Sequence, residues 1–282
     1  MNFLTGRIKI SVRFLIVLLL VLSVTVKDSY PQTALKIAIC QIFVLDGDRS
    51  GNFVRIENAM IEAKNAGADI ACFPETAVLG WVNPDAHKRA CPIPGDDTKR
   101  LSELARKYDT YLCLGLCEKD GENLYDSVVL IDNKGNILLK HRKINILSEL
   151  MTPAYTPGEG VNIVQTVFGR IGLLICADTF KDDIIGKMAE LKPDLVLVPY
   201  GWAAPENAWP EHGKSLASFV KNLAVKVGAP VIGTDVVGEI TKGPWSGQVY
   251  GGQSVAFDAA GNILAAAKDR DRDIVIVSIP KF

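Results

Sequence analysis

Two stretches far apart in the chain match position by position: ADIACFPE at 68–75 and PDLVLVPY at 193–200. Each reads as a short buried strand that follows a helix-patterned segment and ends in Pro-X. A second pair, IDNKGNILL at 131–139 and FDAAGNILA at 257–265, shares D-x-x-G-N-I-L, the turn between two hairpin strands. The turn alone is common enough to recur by chance, but both pairs fall in the same order. Such a chain is expected to fold as two halves of one plan, each a strand–helix–strand unit with a hairpin beyond it. Two sheets face to face with helices outside would bury the apolar side of every element. No linker-like stretch divides the halves, so a single domain is expected.

The remaining segments fit that plan. LKIAICQIFV (35–44) is a buried strand, and VRIENAMIEAKNAGA (54–68) has helical apolar spacing that ends at Gly67. Residues 97–108 read as helix, YLCLGLC (111–117) as strand, and DSVVLIDNKGNILLKHRK (126–143) as a hairpin. After a loop bearing Pro and Gly, RIGLLIC, KDDIIGKMAEL and DLVLVPY alternate strand, helix, strand. ASFVKNLAVKVGA is a helix, APVIGTDV a strand, and strands near 253–257, 262–267 and 273–279 close the chain.

The first 33 residues stand apart. Arg7, Lys9 and Arg13 precede the apolar run FLIVLLLVLSVTV, and KDSYPQT follows it. A basic start, a short apolar run and a polar exit form a secretory signal. The run is shorter than the roughly 20 residues that span a bilayer, yet no A-x-A cleavage site is evident. Residues 1–33 are therefore read as a signal peptide or an N-terminal membrane anchor, with membrane attachment through residues 10–26, and residues 34–282 as the folded domain. Either way the domain lies outside the cytoplasm, periplasmic or extracellular. The formal net charge of -1 leaves no basic footprint for nucleic acid.

Export and six cysteines together suggest disulfides, but the settings of the cysteines disagree. Cys40, Cys72, Cys113 and Cys117 fall in apolar strand runs, and Cys113 and Cys117 would lie about 13 Å apart on one strand, too far to bridge. Buried single thiols are expected there, with Cys91 in a loop left open.

Strand ends are where α/β folds expose reactive groups, and three of them carry unusual side chains. ACFPET places Glu75 after an apolar strand and a proline, KHRKIN places Lys143 at the end of the second hairpin strand, and LLICAD places Cys176 at the end of a third. These residue types complement one another. A thiol is a poor nucleophile until its proton is removed. A carboxylate in a partly desolvated pocket can remove it, and a fixed ammonium stabilises the oxyanion formed on attack at a carbonyl or nitrile carbon. Each residue also has a plain structural reading: a turn cap for Glu75, a solvated hairpin end for Lys143, a buried small hydrophobe for Cys176.

FPET at 73–76, HRKI at 141–144 and LLICAD at 173–178 resemble the three signatures of the carbon–nitrogen hydrolase (nitrilase) superfamily, and the resemblance covers nearly everything after residue 34. It implies an α/β fold, an αββα sandwich of two mixed β-sheets with helices outside. It implies a Glu-Lys-Cys triad: Glu75 as general base and acid, Lys143 as oxyanion stabiliser, Cys176 as nucleophile, with the backbone N–H of Ala177 completing the oxyanion hole. It further implies a homo-oligomer, a small amide-type substrate, and no metal or organic cofactor. A second glutamate that often follows the lysine in this family is matched by Glu149 in LSELMTPAYTPG, although the spacing around it is altered.

Ala177-Asp178 after the cysteine is closer to amidase-like members than to true nitrilases, which usually show Trp-Glu there. Thr179 and Phe180 stand where carboxylate-recognising members carry an arginine. Tyr200 and Trp202 in VPYGW follow the strand that echoes the Glu75 strand and are expected at the same pocket as substrate-binding residues. Trp209, Trp245 and Tyr250 fall in loops that could line it. The leading expectation is an exported amidase-like hydrolase of non-peptide carbon–nitrogen bonds, working through a thioester. Nitrile hydrolysis by the same triad is the alternative chemistry. A hydrolase pairing Cys176 with His87, His141 or His212, and a catalytically silent envelope protein on the same fold, are the other readings.

Overall fold

A computed structural model describes Met1 and residues 34–282, and the expected signal or anchor segment, residues 10–26 included, lies outside the described residues. Among the described residues the strands form two six-stranded sheets and one three-stranded sheet. The first sheet contains β1 (Leu35–Gln41), β2 (Ile70–Cys72), β3 (Tyr111–Asp120), β4 (Asn123–Ile131), β5 (Ile137–Arg142) and β15 (Asp273–Ile279), in the order β15-β1-β2-β3-β4-β5. The second contains β6 (Ile163–Thr166), β7 (Gly169–Leu173), β8 (Leu195–Pro199), β10 (Val231–Thr234), β13 (Val255–Phe257) and β14 (Ile263–Ala266), in the order β14-β13-β10-β8-β7-β6. The small sheet joins β9 (Ala203–Ala204), β11 (Val237–Glu239) and β12 (Val249–Gly251).

The internal repeat is visible in the pairing. β1-β2-β3 pair in parallel and continue antiparallel into β4 and β5. β7-β8-β10 pair in parallel and continue antiparallel into β13 and β14. Two helices per half fall in equivalent places: α1 (Arg49–Asn65) and, after the one-turn α2 (Ala86–Arg89) that has no counterpart, α3 (Asp96–Lys107) in the first half, α4 (Asp182–Glu190) and α5 (Gly213–Val227) in the second. Both D-x-x-G-N turns close in the same way. Asp132 Oδ1 accepts the backbone N–H groups of Lys134 and Asn136, and Asp258 Oδ1 accepts those of Ala260 and Asn262.

Strand alternation builds the layers. Ile37 and Ile39 of β1, Ile70 and Cys72 of β2, and Cys113 of β3 face the second sheet, in one cluster with Leu173, Val196 and Leu197. Their neighbours Ala38, Cys40, Ala71, Leu112 and Leu114 face α1 and α3, against Phe53, Ile56, Met60 and Leu101. Ile184, Met188, Leu216 and Val220 cover the outer side of the second sheet. Each such Ile or Leu, fully withdrawn from water, contributes about 1.5–3 kcal/mol. The fold is the expected αββα sandwich.

Differences from expectation are local. α1 begins at Arg49, earlier than apolar spacing indicates, because Asp48 caps it by accepting Gly51 N–H at 3.0 Å. β6, where a loop was expected, pairs antiparallel with β7 at the sheet edge. All six thiols are unpaired, and Cys91, half-buried, accepts a hydrogen bond from Arg49 Nη1.

Candidate active site

Three chain segments deliver Glu75, Lys143 and Cys176 to one place. β2 ends at Cys72, and Phe73-Pro74 carry the chain to Glu75, whose N–H donates to Tyr200 O at 3.3 Å. That contact ties the end of β2 to the repeat-related segment after β8. Gly115 of β3 makes room: a Cβ there would lie 2.6 Å from Glu75 Cα and 2.8 Å from Pro74 O. Lys143 follows β5, its N–H bonded to Asp126 O across the hairpin at 2.8 Å. Cys176 begins a short turn, Cys176–Phe180, after β7, and its φ of +37° is left-handed. A non-glycine residue in that region stores about 1–3 kcal/mol of strain, a common feature of reactive positions.

The three side chains are almost inaccessible, at 1% (Glu75), 3% (Lys143) and 3% (Cys176) relative exposure. Lys143 Nζ donates to Glu75 Oε1 at 2.5 Å and to Asp126 Oδ2 at 3.3 Å. Its face toward Trp81 lies 5.9 Å from the ring centroid. Burial alone would lower the Lys143 pKa, but the carboxylates of Glu75 and Asp126 outweigh it and hold the ammonium well above its usual range. Burial, then the charge of Glu75, push the Asp126 carboxyl well up. Burial, then Glu75, also push the Cys176 thiol well up, with Lys143 pulling the other way. Burial thus favours the neutral thiol at Cys176. Glu75 Oε2 has no hydrogen-bond partner among the described residues and is sealed from solvent.

Asp178 fastens this arrangement. Its Oδ1 accepts the N–H groups of Ile144 and Asn145, both at 2.9 Å. Its Oδ2 accepts Ile175 N–H at 3.0 Å and the Nε2–H of buried His141 at 2.8 Å. One carboxylate thus binds the turn of Cys176 to the chain on both sides of Lys143. Asn145 Nδ2 adds a bond to Ala177 O at 2.6 Å.

A cavity of about 260 Å³ opens over Cys176, walled by Trp81, Phe180, Trp202 and Trp245 with Glu149 and His212. Trp202 is half-buried, its N–H on Asp235 Oδ1 at 2.7 Å and its ring stacked on His212 at 5.3 Å. Glu149 is exposed, in the turn Ser148–Leu150 on that wall, apart from the buried Glu75–Lys143 pair. Ala177 is buried directly after Cys176. Tyr200 lies behind the wall, fully buried, its hydroxyl donating to Thr179 Oγ1 at 3.2 Å. Trp209 and Tyr250 are likewise buried. Among the histidines, His141 is committed to Asp178, and His87 Nε2 sits 2.9 Å from Pro153 O. Burial lowers the pKa of His212.

Asp126, Asp178 and the wall residue Trp81 are site residues that sequence reasoning did not single out. The register of the hairpin would have found the first: Ser127 pairs with Arg142, so Asp126 stands opposite Lys143. Asp178 bonds residues more than thirty positions away, which no local pattern reports.

The profile of the family described as Carbon-nitrogen hydrolase matches residues 36–281. An (R)-stereoselective amidase from Pseudomonas sp is 30% identical over 254 residues, 88% of this chain and 86% of that protein. A bifunctional nitrilase/nitrile hydratase from Lupinus angustifolius is 29% identical over 167 residues, 52% of this chain and 48% of the relative. The chain thus spans about half the length of the plant nitrilases it matches. A solved variant of a Nesterenkonia amidase from the nitrilase superfamily shares the fold with TM-score 0.77 and 22% identity, over 88% of this chain and 92% of that one. The chain belongs to the carbon–nitrogen hydrolase family.

Proposed function

We propose that the protein hydrolyses small amides through Glu75, Lys143 and Cys176. The observation that carries this reading is the buried Glu75–Lys143 bond beside a cysteine that forms part of a cavity wall. The nearly full-length similarity to an amidase supports the same substrate class.

Glu75 Oε2 takes the thiol proton as Cys176 Sγ attacks the amide carbon. Lys143 and the N–H of Ala177 stabilise the oxyanion. Collapse breaks the C–N bond, Glu75 returns its proton to the nitrogen, and ammonia or an amine leaves a thioester on Cys176. Water, deprotonated by Glu75, attacks the thioester; the acid departs and Sγ recovers a proton from Glu75. Thiol and carboxylate both end as they began. With the Cys176 thiol pushed up by burial, proton transfer to Glu75 accompanies the attack.

The test is ammonia release from a panel of primary amides, carbamoyl compounds and nitriles, with intact-mass detection of an acyl adduct on Cys176 after rapid quenching. Turnover of amides with the adduct on Cys176 is expected. Turnover of nitriles alone, or of nothing, would overturn the amidase reading. We further place the domain outside the cytoplasm, soluble or anchored through residues 10–26; recovery of the full-length chain from the cytosol would contradict this.

A further inference from the structure

The wall of the cavity carries information about the acyl group. Trp81 and Trp245 meet edge to face, centroids 5.8 Å apart at 80°, and Phe180 and Trp202 meet at 5.6 Å and 86°. Phe180 also packs on Phe219 at 4.4 Å, and Trp202 on His212 at 5.3 Å. Rings held on several sides present a preformed apolar surface, so a ligand need not pay to order them. About 260 Å³ lies just below the usual range of ligand pockets, room for a single-ring group beside the reacting carbon.

Charge on the wall is one-sided. Among the described residues no lysine or arginine lines the cavity; Glu149 does, and His212, its pKa lowered by burial, adds no fixed positive charge. Lys143, assigned above to the oxyanion, is already held between the carboxylates of Glu75 and Asp126. Phe180 occupies the wall four residues beyond the nucleophile. A substrate carboxylate entering here would lose its water, meet no cation on the wall and face Glu149. The reacting carbon must come within about 3–3.5 Å of Sγ, and its acyl part stays bonded there through both half-reactions, whereas the amine leaves after the first. Aromatic walls around Cys176 therefore act longest on the acyl side.

We propose that the site takes primary amides of uncharged carboxylic acids whose acyl group carries one aromatic ring, and rejects amides or carbamoyl compounds that carry a carboxylate. This rests on the amidase reading above and specifies its substrate. The experiment compares kcat/KM for phenylacetamide, acetamide, N-benzylacetamide and N-carbamoyl-β-alanine. Burying a ring against these walls predicts a preference of at least about tenfold for phenylacetamide over acetamide. N-carbamoyl-β-alanine should be turned over at least about a hundredfold less well than phenylacetamide. Trp245→Ala, at a half-buried wall position, should shrink the phenylacetamide-to-acetamide ratio by about tenfold.

A wild-type enzyme that prefers acetamide, N-benzylacetamide or the carbamoyl acid would overturn this proposal and leave amide hydrolysis standing. If none of the four is hydrolysed, the amidase reading falls. Tryptophan-fluorescence titration then still decides the cavity's preference: phenylacetamide binding about tenfold tighter than acetamide upholds it, and equal or weaker binding overturns it.

Discussion

Replacing Asp178 by asparagine tests whether one carboxylate sets the distance between Lys143 and Cys176. In the native chain it accepts four hydrogen bonds, from Ile144, Asn145, Ile175 and His141, at 2.8–3.0 Å. Bonds to a charged acceptor contribute about 1.5–3 kcal/mol each. An asparagine keeps an oxygen for Ile144 and Asn145, at the strength of a neutral acceptor, and its NH₂ can donate to His141 Nε2 once the ring proton moves to Nδ1, but the same NH₂ faces Ile175 N–H. Losing that bond and weakening two others sums to about 3–4 kcal/mol. In a domain of this size the loss lowers Tm by roughly 6–16 °C. The Cys176 turn is then free to drift from Lys143, and a shift of about 1 Å can lower turnover about a hundredfold. Calorimetry gives the first quantity. Steady-state ammonia release well below the new Tm gives the second, with kcat expected to fall at least about tenfold and KM to move less than about threefold. A merely structural aspartate would lower Tm and leave kcat per folded molecule intact. A variant with kcat within about twofold of wild type would refute the positioning role.

Gly115→Ala should push the backbone at Glu75, since its Cβ would meet Glu75 Cα at 2.6 Å; stability falls by about 1–3 kcal/mol and kcat at least about tenfold. Gly186→Ala, in α4 with open space around the added carbon, is the control and should stabilise by about 0.5–1 kcal/mol. Equal effects from the two substitutions would contradict the packing at Glu75. Alkaline pH should destabilise the fold: burial pushes the thiols of Cys40, Cys72, Cys117 and Cys176 above their ordinary 9.0, Cys117 to about 12. Between those values the unfolded chain binds fewer protons than the folded one, so unfolding free energy drops as pH rises, by about 1.4 kcal/mol per pH unit for each thiol. Urea unfolding at pH 9.5 and 11 should show a shallower drop in Cys117→Ala; an unchanged slope would remove Cys117 from the account.

The layers were legible because the forces that set them act locally. Apolar runs bounded by helical spacing mark β1, β2, β3, β7, β8 and β10, and the repeated D-x-x-G-N turn marks both hairpins. Glu75, Lys143 and Cys176 stood out because each ends an apolar strand with a group that chemistry can use. Other features depend on partners distant in the chain. β9, β11 and β12 are two or three residues each, too short for a period to show. Their sheet is seated on Trp209, which fills the space above Gly251. Tyr200 and Trp202, two apart, would share a face in a continuing strand. The chain leaves β8 at Pro199, so Trp202 reaches the cavity while Tyr200 turns to Thr179. Asp126 and Asp178 read as ordinary acids until the hairpin register and the Cys176 turn bring their partners to them.

The central claim is that Cys176 forms and breaks the bond to the substrate's acyl carbon. Ammonia release from a saturating primary amide, measured for the wild-type chain and for Cys176→Ala at equal folded concentration, tests it most directly. Alanine keeps the Cβ of the turn and removes only the sulfur, so the fold and the Glu75–Lys143 bond are retained. Release should fall to the uncatalysed background. Ammonia release from Cys176→Ala at more than about a hundredth of the wild-type rate would contradict the account.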